Sequence, residues 1–317
     1  MKVTVWMSAY NHEKYIARCL DSVLSQKTDF PFDIVLGEDC SGDRTREIVL
    51  SYKSRFPDKF KLYLPEKNIG MMQMDVATQP MCTGEYLALL NGDDYWTDEN
   101  KLQIQADFLD AYHDTVMCYH KATVINEDTG YEFETVYLEK TDILPAESLL
   151  NGYNPVMTPT VMMRNILPLP EWYCDMPYGD MLTYLLLSQK GKIRYIDRNM
   201  STYRVHGSGQ WQGDSMYNNL LKDLRFYRKI SEVLGPKYAG HISVIFAQRY
   251  LDIVLMNIRT GRNGQARRYF KKLLACDRQY LSKNLREILT LHRILYENEP
   301  QENHKELISR DIKWKIN

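Results

Sequence analysis

Two pairs of adjacent carboxylates stand out in this chain of 317 residues, Glu38-Asp39 and Asp93-Asp94. Each follows a short apolar run through a glycine: Phe32-Asp33-Ile34-Val35-Leu36 leads to Gly37, and Glu85-Tyr86-Leu87-Ala88-Leu89-Leu90 leads to Asn91-Gly92. Neighbouring carboxylates repel unless a cation or solvent relieves them. Hard oxygen ligands of this kind suit Mg²⁺ or Mn²⁺, which can share diphosphate oxygens with a protein. Either pair alone reads equally well as a solvated turn with one Asp capping the next helix. Two such pairs at neighbouring strand ends of one sheet favour a site. A further acid, Asp180, follows Gly179 at the start of a helical stretch, where capping is the simplest use for it.

The elements that must carry these residues follow from periodicity. Residues 3–7 predict a buried strand ending in Ser8-Ala9-Tyr10-Asn11, with Asn11 placed to cap the next helix. Residues 32–36, 61–64 and 85–90 predict three more strands, with helices between them, the last over 71–81. Alternation of this kind over the first hundred residues predicts a parallel, doubly wound sheet. Ligands bind such sheets at the carboxyl ends of the strands, where both acidic pairs fall. From about 105 to 170 the pattern is mixed, with short strands and several prolines. A helix is expected over 179–190, a strand over 192–196, and helices over 216–233, 238–260 and 264–296.

Composition narrows the class. The six cysteines stand singly, without the spacing of a zinc or redox pair, so a reduced, cytoplasmic setting is the simpler reading. The first residues are too quickly polar for a signal peptide, and no apolar run approaches the roughly 20 residues of a membrane span. Charge is divided: residues 215–317 hold 20 Lys+Arg against 10 Asp+Glu, leaving 20 against 31 in the rest. The basic tail suits an anionic partner. Its stretch Arg267-Arg268-Tyr269-Phe270-Lys271-Lys272-Leu273-Leu274 has two readings: a helix lying peripherally on anionic lipid at the inner face of a membrane, or a surface helix packing Phe270, Leu273 and Leu274 on the catalytic domain. No nucleic-acid motif accompanies it.

Taken in order, the segments resemble family 2 glycosyltransferases. Residues 3–11 resemble the family's opening strand and Tyr-Asn. Residues 37–45 resemble its acidic nucleotide loop, and Glu66-Lys67-Asn68-Ile69-Gly70 its Asn-x-Gly loop. Residues 83–96 resemble its metal-binding strand end. Gly179-Asp180-Met181-Leu182 with Lys190-Gly191-Lys192-Ile193 resembles its catalytic-base helix and the strand after it. Tyr203-Arg204-Val205-His206 resembles its closing loop. The resemblance implies a GT-A fold, α/β and Rossmann-like, over residues 1–212. A nucleotide-binding half would span about 1–100 and an acceptor half about 101–212, with a helical, basic region over 213–317 outside the resemblance.

Carried over residue by residue, the resemblance implies a nucleotide site of Ser8, Tyr10, Asn11, Asp39, Asn68, Asn91 and Gly92. Asp39 would accept from the ring N3–H of uracil. Asp93 would bind Mn²⁺ or Mg²⁺, with Asp94 and His206 as further metal contacts. Asp180 would be the general base of an inverting transfer. Apart from the resemblance, Trp96 and Trp211 are candidates for an acceptor wall, with core packing the simpler use of such aromatics. Asn91 departs from the family's pattern, which has Asp at that position; an acceptor for ribose is kept but a charge is lost. The implied activity moves a single sugar from a nucleotide-sugar, UDP-linked before dTDP- or GDP-linked, to a glycan or polyprenyl-diphosphate-linked acceptor in bacterial surface polysaccharide synthesis. Neither Gln-x-x-Arg-Trp nor the spans of a processive synthase is present. A nucleotidyltransferase would need a Gly-rich basic loop after the first strand, and Ser8-Ala9-Tyr10-Asn11-His12 is not one. The alternative from another class is an inactive nucleotide-sugar-binding scaffold, which Asn91 keeps open.

Overall fold

The computed structural model describes every residue except 138, 140, 152, 153, 167, 208–214, 298–303 and 305–317. The chain divides into two compact units, one of residues 1–149 with 153–213 and one of residues 150–152 with 214–317.

The first unit is built on β1 (Val3–Ala9), whose residues are all buried apart from Ser8. An unbroken apolar run is what a strand covered on both faces requires. Helix α1 (Ile16–Leu24) leads to β2 (Phe32–Glu38), α2 (Thr45–Arg55) to β3 (Phe60–Tyr63), and α3 (Met71–Thr78) to β4 (Tyr86–Asn91). The four strands are parallel in the order β3-β2-β1-β4. In this register Ser8 lies beside Gly37 on one side and Asn91 on the other, so the acidic pairs follow strand ends that flank the end of β1. A Cβ on Gly84 would fall 2.4 Å from the Thr4 backbone nitrogen, so β4 can enter beside β1 only with glycine there.

The sheet continues less regularly. β5 (Tyr95–Trp96), α4 (Lys101–Ala111), β6 (Thr115–Asn126), β7 (Glu132–Glu134), β8 (Ile143–Leu144), α5 (Ala146–Leu149), β9 (Met162–Arg164), α6 (Gly179–Leu187) and β10 (Lys192–Val205) follow. The full order is β3-β2-β1-β4-β9-β6-β10-β5, with β7 on β6 and β8 on β10. β9 is antiparallel to both neighbours, and β5 is antiparallel to β10. Where short strands were expected, β6 runs for 12 residues. β10 runs for 14, well beyond the expected 192–196, because register shifts around Asn199 let it bend and keep pairing with β6. Residues 203–206 are thus mostly strand.

The second unit is helical: α7 (Met216–Leu234), α8 (Ala239–Arg259), α9 (Asn263–Leu274), α10 (Arg278–Lys283) and α11 (Leu285–Tyr296). The single helix expected over 264–296 is broken, because Asp277 accepts from the Tyr280 N–H and caps a new helix. Phe270 and Leu273 are buried in this unit's own core with Leu255, Ile258 and Leu291, while Leu274 is exposed. Phe270 and Leu273 of the basic stretch therefore serve this unit's internal packing. Among the described residues no helix is long and apolar enough to cross a membrane.

Candidate active site

The end of β2 is fully bonded. Glu38 is buried; one carboxylate oxygen accepts from Ser41 N–H at 2.7 Å and the other from the Arg46 guanidinium. Asp39 accepts from the N–H groups of Ile69 and Gly70, both at 2.8 Å, and the Asn68 amide donates to its carbonyl at 3.2 Å. This acid thus fixes the loop that starts α3. Asn11 does not cap α1. It takes φ of 56°, a left-handed conformation Asn tolerates, and its side-chain oxygen accepts from Gly42 N–H at 2.9 Å. That ties the turn after β1 to the turn after β2, and α1 starts only at Ile16.

The end of β4 is built differently. Ser8 donates to the Asn91 side-chain oxygen at 3.1 Å. A Cβ on Gly92 would fall 2.8 Å from both His12 Nδ1 and Ile16 Cδ1, so only glycine lets His12 close on this turn. Asp93 Oδ2 then lies 3.2 Å from His206 Nε2 and 3.6 Å from His12 Nε2. Asp94 Oδ1 accepts from Arg204 N–H at 2.8 Å, and the Arg204 guanidinium donates to the Asp93 carbonyl at 2.6 Å and to Glu127 at 2.8 Å. That guanidinium also sits over the rings of Tyr15 and Tyr95, 5.0 and 4.5 Å from their centroids.

Burial raises the Asp94 carboxyl well above its ordinary range, and the charge of Asp93 adds to this. Burial pushes Asp93 upward too, but the His206 hydrogen bond and the nearby His12 outweigh it and hold Asp93 below its usual value. Burial also favours neutral His12. Their surroundings thus push the two neighbouring carboxyls in opposite directions. Four buried polar atoms on these neighbouring side chains have no described partner: Asp93 Oδ1, Asp94 Oδ2, His12 Nδ1 and His206 Nδ1. Each such atom costs roughly 1–3 kcal/mol. Left unpaired on residues joined around one turn, they point to a polar ligand there.

Asp180 opens α6. Its oxygens accept from Met181 N–H and from the Asn154 amide, each at 2.7 Å. It does not act as the expected cap: the cap position is Tyr178, and no side chain bonds there. Burial raises the Asp180 carboxyl. Burial raises the Tyr203 hydroxyl, and the acids Asp94, Asp93 and Asp180 add to the rise.

Of the other expected site residues, Tyr10 is exposed. Trp96 is buried, with its indole N–H donating to the Pro159 carbonyl at 3.0 Å and Lys101 over its ring. It therefore has no ring face open to an acceptor, and the assignment of a wall there is corrected. Trp211 lies outside the described residues. His12, Arg204 and Asn154 were not anticipated. His12 was visible only as a histidine just after a strand end, Arg204 as a cation beside the closing motif.

The model of glycosyl transferase family 2 matches residues 4–166, just over half of the chain. The chain belongs to glycosyl transferase family 2, and its fold is of the GT-A type. An uncharacterised protein of Mycobacterium tuberculosis is 33% identical over 213 residues, 64% of this chain and 58% of that protein, so the chain matches less than two thirds of that relative's length. The poly(ribitol-phosphate) β-N-acetylglucosaminyltransferase TarS of Staphylococcus aureus is 35% identical over 122 residues, 37% of this chain and 20% of that protein. The N-terminal fragment of TarS, solved with UDP-GlcNAc, superposes with a TM-score of 0.67 at 19% identity, covering 99% of this chain and 93% of the fragment. A mannosyltransferase of Pyrobaculum calidifontis, solved with GDP-Man and Mn²⁺, gives 0.53 at 14% identity, covering 100% and 88%. At these identities the superpositions show the fold.

Proposed function

We propose that this glycosyltransferase moves one sugar, with inversion, from a UDP-sugar to a hydroxyl of a glycan or lipid-linked glycan, in the synthesis of a bacterial surface polysaccharide. Residues 1–212 form the catalytic domain, with the helical, basic 213–317 beside it in sequence. The observation that carries the reading is the set of unpartnered buried atoms at the end of β4, across β1 from the fully bonded Asp39 loop. The fold shared with proteins solved with UDP-GlcNAc and GDP-Man supports a nucleotide-sugar donor.

In this scheme Asp39 and the Asn68 loop hold the pyrimidine, and Ser8 and Asn91 face the ribose. Asp93 and His206 are the residues that would hold a divalent ion: Asp93 Oδ1 is free, and the imidazole lies 3.2 Å from Oδ2. Among the described residues no three metal-binding side chains converge, so donor oxygens and water would complete the shell. The ion would neutralise charge on the leaving diphosphate. Asp180, made more basic by burial, takes the proton of the acceptor hydroxyl as its oxygen bonds to the anomeric carbon; the bond from that carbon to the diphosphate breaks, and its electron pair leaves with UDP. Arg204, held by Tyr15, Tyr95 and Glu127, keeps the Asp93 turn in place.

UDP release from a panel of UDP-sugars, with Mn²⁺ or Mg²⁺ and with EDTA, tests the proposal. Release that depends on the ion and on acceptor is expected. Tight UDP binding with no release from any donor would leave a nucleotide-sugar-binding scaffold instead.

A further inference from the structure

A second acid stands near Asp180 that the scheme above does not use. Asp75 lies on α3, which two glycines hold at close quarters. A Cβ on Gly37 would fall 2.2 Å from Met74 Sδ, so α3 is pressed against β2. A Cβ on Gly179 would fall 2.9 Å from Asp75 Oδ2 and 2.5 Å from the Tyr173 hydroxyl, so the start of α6 is pressed against Asp75. Helix α3 begins at the loop that Asp39 holds and, within two turns, reaches the helix that carries Asp180. Asp75 thus stands on the element that joins the Asp39 loop to the residue just before Asp180.

The acid is half satisfied. Tyr173 donates its hydroxyl to Asp75 Oδ2 at 3.0 Å, and among the described residues no donor reaches Oδ1. The residue is partly open to solvent. Burial raises its carboxyl to about 7, with the charge of Asp180 adding to the rise and the Tyr173 bond opposing it. Near neutral pH it can therefore both accept and donate. A sugar presents hydroxyls that do both, and a polar group built to bind a hydroxyl rejects analogues lacking it far better than an apolar wall does.

We propose that Asp75, held by Tyr173, is a specificity-determining residue whose free oxygen hydrogen-bonds a hydroxyl of the sugar being transferred. The proposal rests on reading this cleft as the nucleotide-sugar site. It gives that site a means of choosing the sugar that is separate from its means of choosing the nucleotide.

The test compares UDP with UDP-glucose, UDP-galactose, UDP-N-acetylglucosamine and UDP-glucuronate by calorimetry on the full chain. For at least one UDP-sugar, Asp75→Ala should raise the ratio of its Kd to that of UDP by about ten- to a hundred-fold, the contribution of a charge-assisted hydrogen bond. UDP itself should bind as before. Asp75→Asn, which keeps one acceptor oxygen, should recover part of the loss, and Tyr173→Phe should cost about three-fold in the same ratio. The latter two variants carry the test should the alanine variant not fold. A ratio unchanged across the panel overturns the proposal, as does an equal loss for UDP and the UDP-sugars, which would mean that Asp75 only seats α3. Failure of the wild type to bind UDP would instead overturn the proposed function.

Discussion

The two acidic pairs sit at equivalent places, just beyond strands on either side of β1, yet they are built in opposite ways. At Glu38-Asp39 every side-chain oxygen has a donor, and the donors are backbone N–H groups or an arginine close in sequence. At Asp93-Asp94 one oxygen of each acid is buried and bare, and the partners come from residues 12, 204 and 206. A satisfied acid shapes a loop; an unsatisfied one waits for a ligand. The first pair should matter to folding and to nucleotide shape, the second to reaction.

The largest effect is expected at Asp180, the acid that would act on the acceptor. Asp180→Asn can still accept from Met181 N–H but cannot take a proton. Transfer should fall by about 10²- to 10⁴-fold while UDP affinity and Tm stay near normal. More than about a third of the wild-type rate would leave Asp180 a structural residue. Next, Asp93→Ala should lower donor turnover by roughly 10²- to 10³-fold. Its Tm should fall only modestly, because the variant loses the His206 bond to Oδ2 but no bond to the bare Oδ1, and EDTA should reproduce the loss of turnover in the wild type. Full turnover in EDTA would end the claim of a metal.

The contrast sharpens at Glu38. Glu38→Gln breaks a buried ion pair whose arginine is partly exposed, and should lower stability by about 1–3 kcal/mol, seen as a fall of several degrees in Tm. An unchanged Tm would erase the distinction between the pairs. Asp39→Ala should weaken UDP binding by about ten- to a hundred-fold, measured by calorimetry, through loss of a charge-assisted bond and release of the Asn68 loop. The last prediction concerns pH and is read as a trend. The folded state holds a proton on Asp75 up to about pH 7, whereas an unfolded aspartate loses it near 3.9. The resulting stabilisation is full below about pH 4, fades as pH rises and is gone above about 7. The Tm of wild type minus that of Asp75→Asn should fall across this window; a flat difference would show an ordinary carboxyl.

Much of this was legible where local pattern and tertiary structure agree. Apolar runs closed by a glycine and two acids marked β2 and β4, and alternation marked the parallel half of the sheet. Legibility failed where a distant residue decides. Asn11 reads as a helix cap, but Gly42 takes its side chain. His12 reaches Asp93 only because Gly92, 80 positions away, lacks a side chain. Trp96 reads as a binding surface, but Lys101 and Pro159 enclose it. Met74 on α3 is buried, and nothing in the apolar pattern around it marks Asp75 next to it. The strand predicted over 192–196 was cut short because the register shifts around Asn199 have no simple alternation to betray them.

The bonds from Arg204 to the Asp93-Asp94 turn span 110 and 111 positions of sequence, and that from His206 to Asp93 spans 113. Contacts this distant close late, because the loop entropy must be overcome before they return anything. A ribosome adding about 5–20 residues per second makes β1 to β4 several seconds before it reaches residue 206. Through that interval the turn after β4 has neither its arginine nor its second imidazole. Ion-dependent donor binding in a growing chain would therefore report the docking of the last strand, and would serve as a clock for the completion of the sheet.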